Sequence, residues 1–257
     1  MRIATWNVNS IKARLPLVLA WLGEARPDVV CLQEIKCLAA DFPSLEIGGL
    51  GYRIEIVGQK AYNGVALLSK SPAREVITAL PGDEDDHQAR YVEATIDGVR
   101  IASLYLPNGN PVASDKFPYK LTWLERLRHH AAKLLKSEQP FVLAGDYNVI
   151  PEDIDVYDSA AWREDALFRP DSRAAYRRLL HLGLIDAFRA LHAEPHRYSF
   201  WDYQAGRWQR DEGLRIDHLL LSPHAADRLE AADIDKGPRG KEKASDHTPA
   251  WCELRDR

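Results

Sequence analysis

The sequence predicts a mixed α/β sandwich, two sheets face to face with helices outside, and three observations lead there. Short apolar strands recur along the whole chain, helical patterns fall between them, and Asp97-Gly98 stands between two alternating runs as a two-residue hairpin turn. Strands are expected at 3–6, 29–32, 52–57, 64–68, 91–96, 100–106, 141–144, 216–221 and 250–254, rich in β-branched residues and bounded by Gly, Pro, Asn or Asp. One helix presents Leu15, Val18, Leu19 and Leu22 on a single face, with Pro16 tolerated near its start. A second presents Leu121, Leu124, Leu127, Ala131 and Leu134, and a third is expected over 172–182, closed by Gly183. The hairpin turn makes part of the sheet antiparallel, which argues against a wholly parallel nucleotide-binding fold. Neither common glycine-rich phosphate fingerprint occurs, nor any heptad repeat or low-complexity linker.

At 257 residues and 46% hydrophobic, the chain can bury a sizeable core, and length alone permits one domain or two. No run reaches the roughly 20 apolar residues that span a bilayer. The opening Met1-Arg2-Ile3-Ala4-Thr5-Trp6-Asn7 reads as a strand rather than a secretory leader, so a cytoplasmic protein without a membrane partner is expected. Cys31 lies in an apolar run, and Cys37 and Cys252 belong to no zinc-type cluster; all three are expected as reduced core residues. A net charge of −4 runs against binding a polyanion. Acidic surface such as Asp83-Glu84-Asp85-Asp86 can set that value while a local basic face binds phosphate. Candidate patches are Arg207-Trp208-Gln209-Arg210 and Arg239-Gly240-Lys241-Glu242-Lys243, whose plainer reading is solvated loop charge.

Polar residues stand at strand ends: Asn7 after the first strand, Glu34 after the second, Asp146 and Asn148 after 141–144, with Asp217 and the Asp246-His247 pair towards the C-terminus. Singly, each is an ordinary turn former. Together they meet the needs of phosphodiester hydrolysis: a cation against developing charge, a group to activate water, donors for the non-bridging oxygens and help for the leaving oxygen. The oxygen ligands suit Mg²⁺ or Mn²⁺, with Glu34 the first candidate and Asp246 and Asn7 close behind.

Ordered motifs then carry a resemblance. They are Thr5-Trp6-Asn7-Val8-Asn9-Ser10, Leu32-Gln33-Glu34-Ile35-Lys36, Asn63-Gly64-Val65-Ala66, Leu104-Tyr105-Leu106-Pro107-Asn108-Gly109, Gly145-Asp146-Tyr147-Asn148, Ser199-Phe200-Trp201-Asp202-Tyr203, Gly213-Leu214-Arg215-Ile216-Asp217 and Ser245-Asp246-His247. Across nearly its whole length the chain resembles the exonuclease III and AP endonuclease family, bacterial type, within the endonuclease-exonuclease-phosphatase group. That resemblance implies a four-layer αββα sandwich of two mixed, largely antiparallel sheets built from two similar halves, in one catalytic domain over 1–257. It implies that Glu34 binds metal, that Asn7 and Asp246 support it, and that Asp146 and Asn148 join if a second ion binds. It implies catalytic roles for Tyr105, Asp146, Asn148, Asp217 and His247, leaving open whether Asp146 or His247 handles the water. His247 paired with Asp217 would have its tautomer fixed and its pKa raised.

Asn108 resembles the phosphate-contacting loop of AP endonucleases. Phe200 and Trp201 resemble the apolar wall that receives a flipped abasic sugar, completed by the segment carrying Leu214 and Arg215. Leu214 stands where human-type members carry tryptophan, and Asn9 where they carry aspartate. The implied activity is incision of double-stranded DNA 5′ of abasic sites, with trimming of 3′ ends. The alternative is a phosphate ester other than DNA, because the wider group uses a similar core on lipids and inositol phosphates. A monomer is expected, since no exposed repeating apolar face is visible.

Overall fold

The structure, a computed structural model, describes residues 1–255. Six strands form a first sheet: β1 (Arg2–Asn7), β2 (Val29–Gln33), β3 (Arg53–Val57), β4 (Val65–Ser69), β11 (Leu229–Ile234) and β12 (Ala250–Leu254), in the order β11-β12-β1-β2-β4-β3. The second holds β5 (Arg74–Ile77), β6 (Tyr91–Ile96), β7 (Val99–Tyr105), β8 (Phe141–Asp146), β9 (Ile185–Asp186) and β10 (Asp217–Leu221), in the order β5-β6-β7-β8-β10-β9. In each sheet the central pair, β1–β2 and β7–β8, is parallel, and the remaining pairs are antiparallel. Asp97 and Gly98 both take positive φ, 47° and 78°, as a type I′ turn between β6 and β7 requires.

Side-chain alternation builds the layers. Ile3, Val29, Cys31, Val65 and Leu67 of the first sheet meet Val92, Ala94, Ile101, Val142, Ala144 and Leu219 of the second in one apolar core. The alternate residues Ala4, Trp6, Val30, Leu32, Ala66 and Leu68 pack under α1 (Ile11–Ala25) through Val18, Trp21 and Leu22. On the other outer face, Ala102, Leu104, Phe141, Leu143 and Leu220 pack under two helices. These are α3 (Lys116–Leu135), through Trp123, Leu124 and Leu127, and α4 (Pro170–Leu180), through Tyr176 and Leu179. The layers are therefore helix, sheet, sheet, helix, as the resemblance implies.

Shorter helices, α2 (Ser44–Gly48), α5 (Ala187–Leu191) and α6 (Pro223–Ala226), join the larger elements. The three cysteines are free and buried. Among the described residues no helix is long and apolar enough to cross a membrane.

The same alternation positions the site. Towards one end, the inter-sheet face of β1 runs Ile3, Thr5, Asn7; that of β2 runs Val29, Cys31, Gln33; and those of β7 and β8 end at Tyr105 and Asp146. Between the apolar core and that end lies a polar layer. Thr5 donates to Gln33 Oε1 at 3.2 Å, and Gln33 Nε2 donates to Ser103 Oγ at 3.2 Å. Because β10 and β12 run against their neighbours, Asp217 and the 245–249 segment begin at the edge where β1, β2, β7 and β8 end.

Candidate active site

Asn7 is the hub of a connected polar cluster. Its buried amide donates to Glu34 Oε1 and to Asp146 Oδ2, both at 2.9 Å, joining the two sheets across their shared edge. Tyr105 donates its hydroxyl to Glu34 Oε1 at 2.8 Å. Burial and the neighbouring carboxylates of Glu34 and Asp146 raise Tyr105 well above its ordinary value, so it remains a neutral donor. Lys36 Nζ sits 2.8 Å from Glu34 Oε2 and donates to Asn9 Oδ1 at 2.5 Å, while Asn9 Nδ2 donates to Asp246 Oδ1 at 3.1 Å. Burial alone would raise the Glu34 carboxyl, but the Asn7 amide and the Lys36 ammonium outweigh it and hold the group below its ordinary value.

Glu34 and Asn148 both take left-handed backbone, φ 49° and 47°. Asn tolerates this region; for Glu it is uncommon, and such residues cluster where function over-determines the backbone.

The second sheet supplies the titrating groups. Burial raises the Asp146 carboxyl to about 7, with Asp217 adding to the rise and His247 and Asn7 opposing it. His247 Nε2 lies 3.7 Å from Asp146 Oδ2, and its Nδ1 is 2.8 Å from Asp217 Oδ2. Burial would lower the imidazole, but Asp217 and Asp146 lift it to about 10, so it is an imidazolium at neutral pH. Ser199 donates to the same Asp217 oxygen at 2.6 Å, and Asp217 Oδ1 is buried with no hydrogen-bond partner among the described residues. Asn148 is fixed by its side chain donating to Leu106 O at 2.9 Å and by its backbone N–H donating to Asp146 Oδ1 at 2.8 Å. Exposed Asn108 donates to Asn148 Oδ1 at 3.1 Å.

Two groupings of these donors can hold a cation. Glu34, Asp146 and, through Asn9, Asp246 offer hard carboxylate oxygens at a corner that already accommodates the Lys36 ammonium, and Asn7, whose Oδ1 accepts from Asn9 N at 3.0 Å, would join them as a ligand with its amide turned over. Ligand atoms of Asp146, Asp217 and His247 lie within 4.8 Å of one another. The carboxylates of the first set fit a hard divalent metal, and the second set fits one only with His247 deprotonated.

The apolar wall is smaller than the sequence predicts. Phe200 packs edge-on against His247, ring centroids 4.9 Å apart, and keeps part of its surface open. Trp201 is 1% exposed, with its indole N–H on Asp211 and its ring against Tyr198 and Trp208, so it backs the wall instead of lining it. Leu214 is likewise 1% exposed, paired backbone to backbone with Phe200 and packed with Val156 and Ile216.

Arg215 corrects the expectation of a DNA contact outright. Its guanidinium is buried, 2.7 Å from Asp155 Oδ1 and 2.7 Å from Asp186 Oδ2, with no donor facing solvent. The basic patches are also partly spent. Arg207 and Arg210 pair with Glu212, and buried Arg239 donates to Trp201 O at 3.0 Å.

Sequence reading gave no role to Lys36, Ser199 or Lys120. Lys36 was detectable by its position two residues beyond Glu34. Lys120 was detectable as a charge within the apolar face that includes Phe117, Leu124 and Leu127.

The profile of the Endonuclease/Exonuclease/phosphatase family matches residues 4–247, and the chain belongs to that family. Within it the chain falls in the exodeoxyribonuclease III group and is a phosphodiester hydrolase of nuclease type. It is 33% identical to Exodeoxyribonuclease III of Haemophilus influenzae, over 99% of this chain and 100% of that one. An AP endonuclease from Archaeoglobus fulgidus superposes with a TM-score of 0.96 at 37% identity, covering 100% of both chains. A 3′ phosphatase from Neisseria, bound to a product DNA hairpin, superposes with a TM-score of 0.97 at 39% identity, again covering 100% of both.

Proposed function

We propose that this protein is a metal-dependent DNA-repair phosphodiesterase, one catalytic domain that incises duplex DNA 5′ of abasic sites and trims blocked or recessed 3′ ends. The observation that carries the reading is the cluster in which Asn7 joins Glu34 of one sheet to Asp146 of the other, with His247 and Asp217 alongside. In this reading Glu34, Asn7 and Asp246 hold Mg²⁺ or Mn²⁺, with Asp146 and Asn148 joining if a second ion binds. When bound, the ion neutralises charge that develops on the phosphate.

Asp146 accepts the proton of the attacking water at Oδ2, since a carboxyl lifted to about 7 is matched to that task near neutral pH. His247, held as an imidazolium by Asp217, stabilises the non-bridging oxygens through Nε2–H. The side-chain amides of Asn148 and Asn108 donate to the phosphate, and the neutral Tyr105 hydroxyl assists the leaving oxygen. Phe200 is the aromatic face against which a base-free sugar would rest.

One observation shifts the balance of activities towards 3′ ends. Of Phe200, Trp201 and Leu214, only Phe200 presents surface, so the wall that would select an abasic sugar is narrow. The relative of known activity on 3′ phosphate is consistent with that shift.

The test is a single gel: a duplex with one tetrahydrofuran site beside an undamaged duplex with a recessed 3′ end, each with Mg²⁺ and with EDTA. Cleavage of both only with Mg²⁺ is expected, and Glu34→Ala should remove it. Equal cleavage in EDTA would overturn the metal assignment, and inertness towards both DNAs beside hydrolysis of phospholipid headgroups would overturn the substrate.

A further inference from the structure

Lys120 is fully buried in the middle of α3, at a position whose neighbours in the stripe are apolar. A methionine or leucine would fill that position without the several kcal/mol that burying an unpaired ammonium costs. Among the described residues no carboxylate pairs with it. Its Nζ instead donates to three backbone carbonyls, of Asn148 at 2.6 Å, Asn108 at 3.0 Å and Ala166 at 3.2 Å. All three ammonium donors are thereby used, and each goes to a different loop.

Two of those loops carry the side-chain amides read above as phosphate donors. Asn108 and Asn148 are also hydrogen-bonded to each other, and Asn148 stands in left-handed backbone that a carbonyl clamp would help to hold. The third loop is tied in by Asn110, which donates to both oxygens of Asp165 at 3.1 Å and accepts from Ala166 N at 3.1 Å. Gly109 closes over the lysine: its φ is +89°, and a Cβ there would stand 2.7 Å from Lys120 Cδ.

We propose that Lys120 is a positioning residue for the phosphate side of the site, its buried amino group fixing the Asn108 and Asn148 loops through their backbone carbonyls. This inference rests on the reading of Asn108 and Asn148 as phosphate contacts. It assigns the lysine no contact with substrate. Its effect is exerted through the two asparagines, so it belongs to alignment in the transition state more than to DNA affinity, which many backbone contacts supply.

The experiment measures kcat and KM on the tetrahydrofuran duplex at saturating Mg²⁺ for wild type, Lys120→Met, Asn148→Ala and the double variant, with thermal melts to establish folding. For Lys120→Met, kcat falls about 100-fold while KM stays within about threefold, the size of effect that loss of one aligned donor produces. The double variant is slower than Asn148→Ala by less than the loss Lys120→Met causes alone, because the part of that loss exerted through Asn148 is already gone and only the part through Asn108 remains. A kcat within about threefold of wild type, a loss confined to KM, or losses that multiply in the double variant would each overturn the positioning role. If Lys120→Met does not fold, Lys120→Gln decides by the same readouts, since its amide has two N–H donors for the three carbonyls that Nζ meets. Full kcat in Asn148→Ala overturns the phosphate reading itself, and a wild type inert on this duplex overturns abasic incision.

Discussion

Burial of Asp146 sets two properties at once. A carboxyl raised from 3.8 to about 7 in the fold adds to stability below pH 3.8 and loses that contribution as pH rises through about 7, where the buried site must carry the charge. Asp146→Asn removes that burden. In EDTA its melting temperature should exceed wild type at pH 8, with the gap closing towards pH 5, while kcat falls about 10³-fold for want of a base. A variant less stable than wild type at pH 8 would show that contacts with Asn7 and His247 outweigh the desolvation. His247 has the opposite charge: raised from 6.5 to about 10, its contribution is complete below pH 6.5 and fades as pH passes about 10. The stability advantage of wild type over Asp217→Asn should follow that course in a pH series of melts. The carboxylates and His247 were visible in the sequence because strand ends and motif order expose them. Lys36 and Lys120 acquire their partners only in the fold, Lys120 from carbonyls 12, 28 and 46 residues away.

The segment from Gly213 to Asp217 is held from behind. Arg215 donates to Asp155 and Asp186, Arg189 adds a second cation to Asp155, and Arg215 N donates to Asp155 O at 2.9 Å, so the 150–157 loop, α5 and the start of β10 are locked together beneath Leu214. Both carboxylates are held below their ordinary values by these guanidinium groups, which outweigh burial. Arg215→Met leaves two buried acids short of a partner and should cost about 3–5 kcal/mol in denaturant unfolding. The slope of log affinity for DNA against log salt should be unchanged, whereas loss of a phosphate contact would make it shallower by about 1. Strand alternation read from the sequence could not reveal this clamp, since Arg215 beside a candidate wall looks like a phosphate ligand until Asp155 and Asp186 are brought in. The strands with no clear signal in the sequence have related reasons. β5 and β11 are edge strands with charged, partly exposed faces, and β9 is two residues long. By contrast β1, β2, β4, β7 and β8, central and apolar, were legible almost to the residue.

At the scale of the whole molecule, the site lies on a seam. Asn7 and Glu34 come from the first sheet, Tyr105, Asp146 and Asp217 from the second, and Asp246 and His247 from a segment that enters the first sheet through β12. An ion held by Glu34, Asn7 and Asp246 would therefore tie the ends of β1 and β2 to the segment that enters β12 and bind only the folded state. Mass action then stabilises the fold by about 2.7 kcal/mol at a free metal concentration 100 times Kd. For a chain of 257 residues, each kcal/mol moves Tm by about 2 °C or slightly less, so saturating Mg²⁺ should raise Tm by about 4–5 °C over EDTA. Glu34→Ala should abolish that rise, because it removes the carboxylate at which Asn7, Tyr105 and Lys36 converge. Lys36→Met makes the comparison quantitative: its ammonium shares Glu34 Oε2 with any incoming cation, so its loss should lower the Mg²⁺ concentration at half-maximal shift by about tenfold, equivalent to about 1.4 kcal/mol. A Glu34→Ala protein that keeps the full Mg²⁺ shift would place the ion at Asp146, Asp217 and a deprotonated His247 instead, whose ligand atoms lie within 4.8 Å of one another.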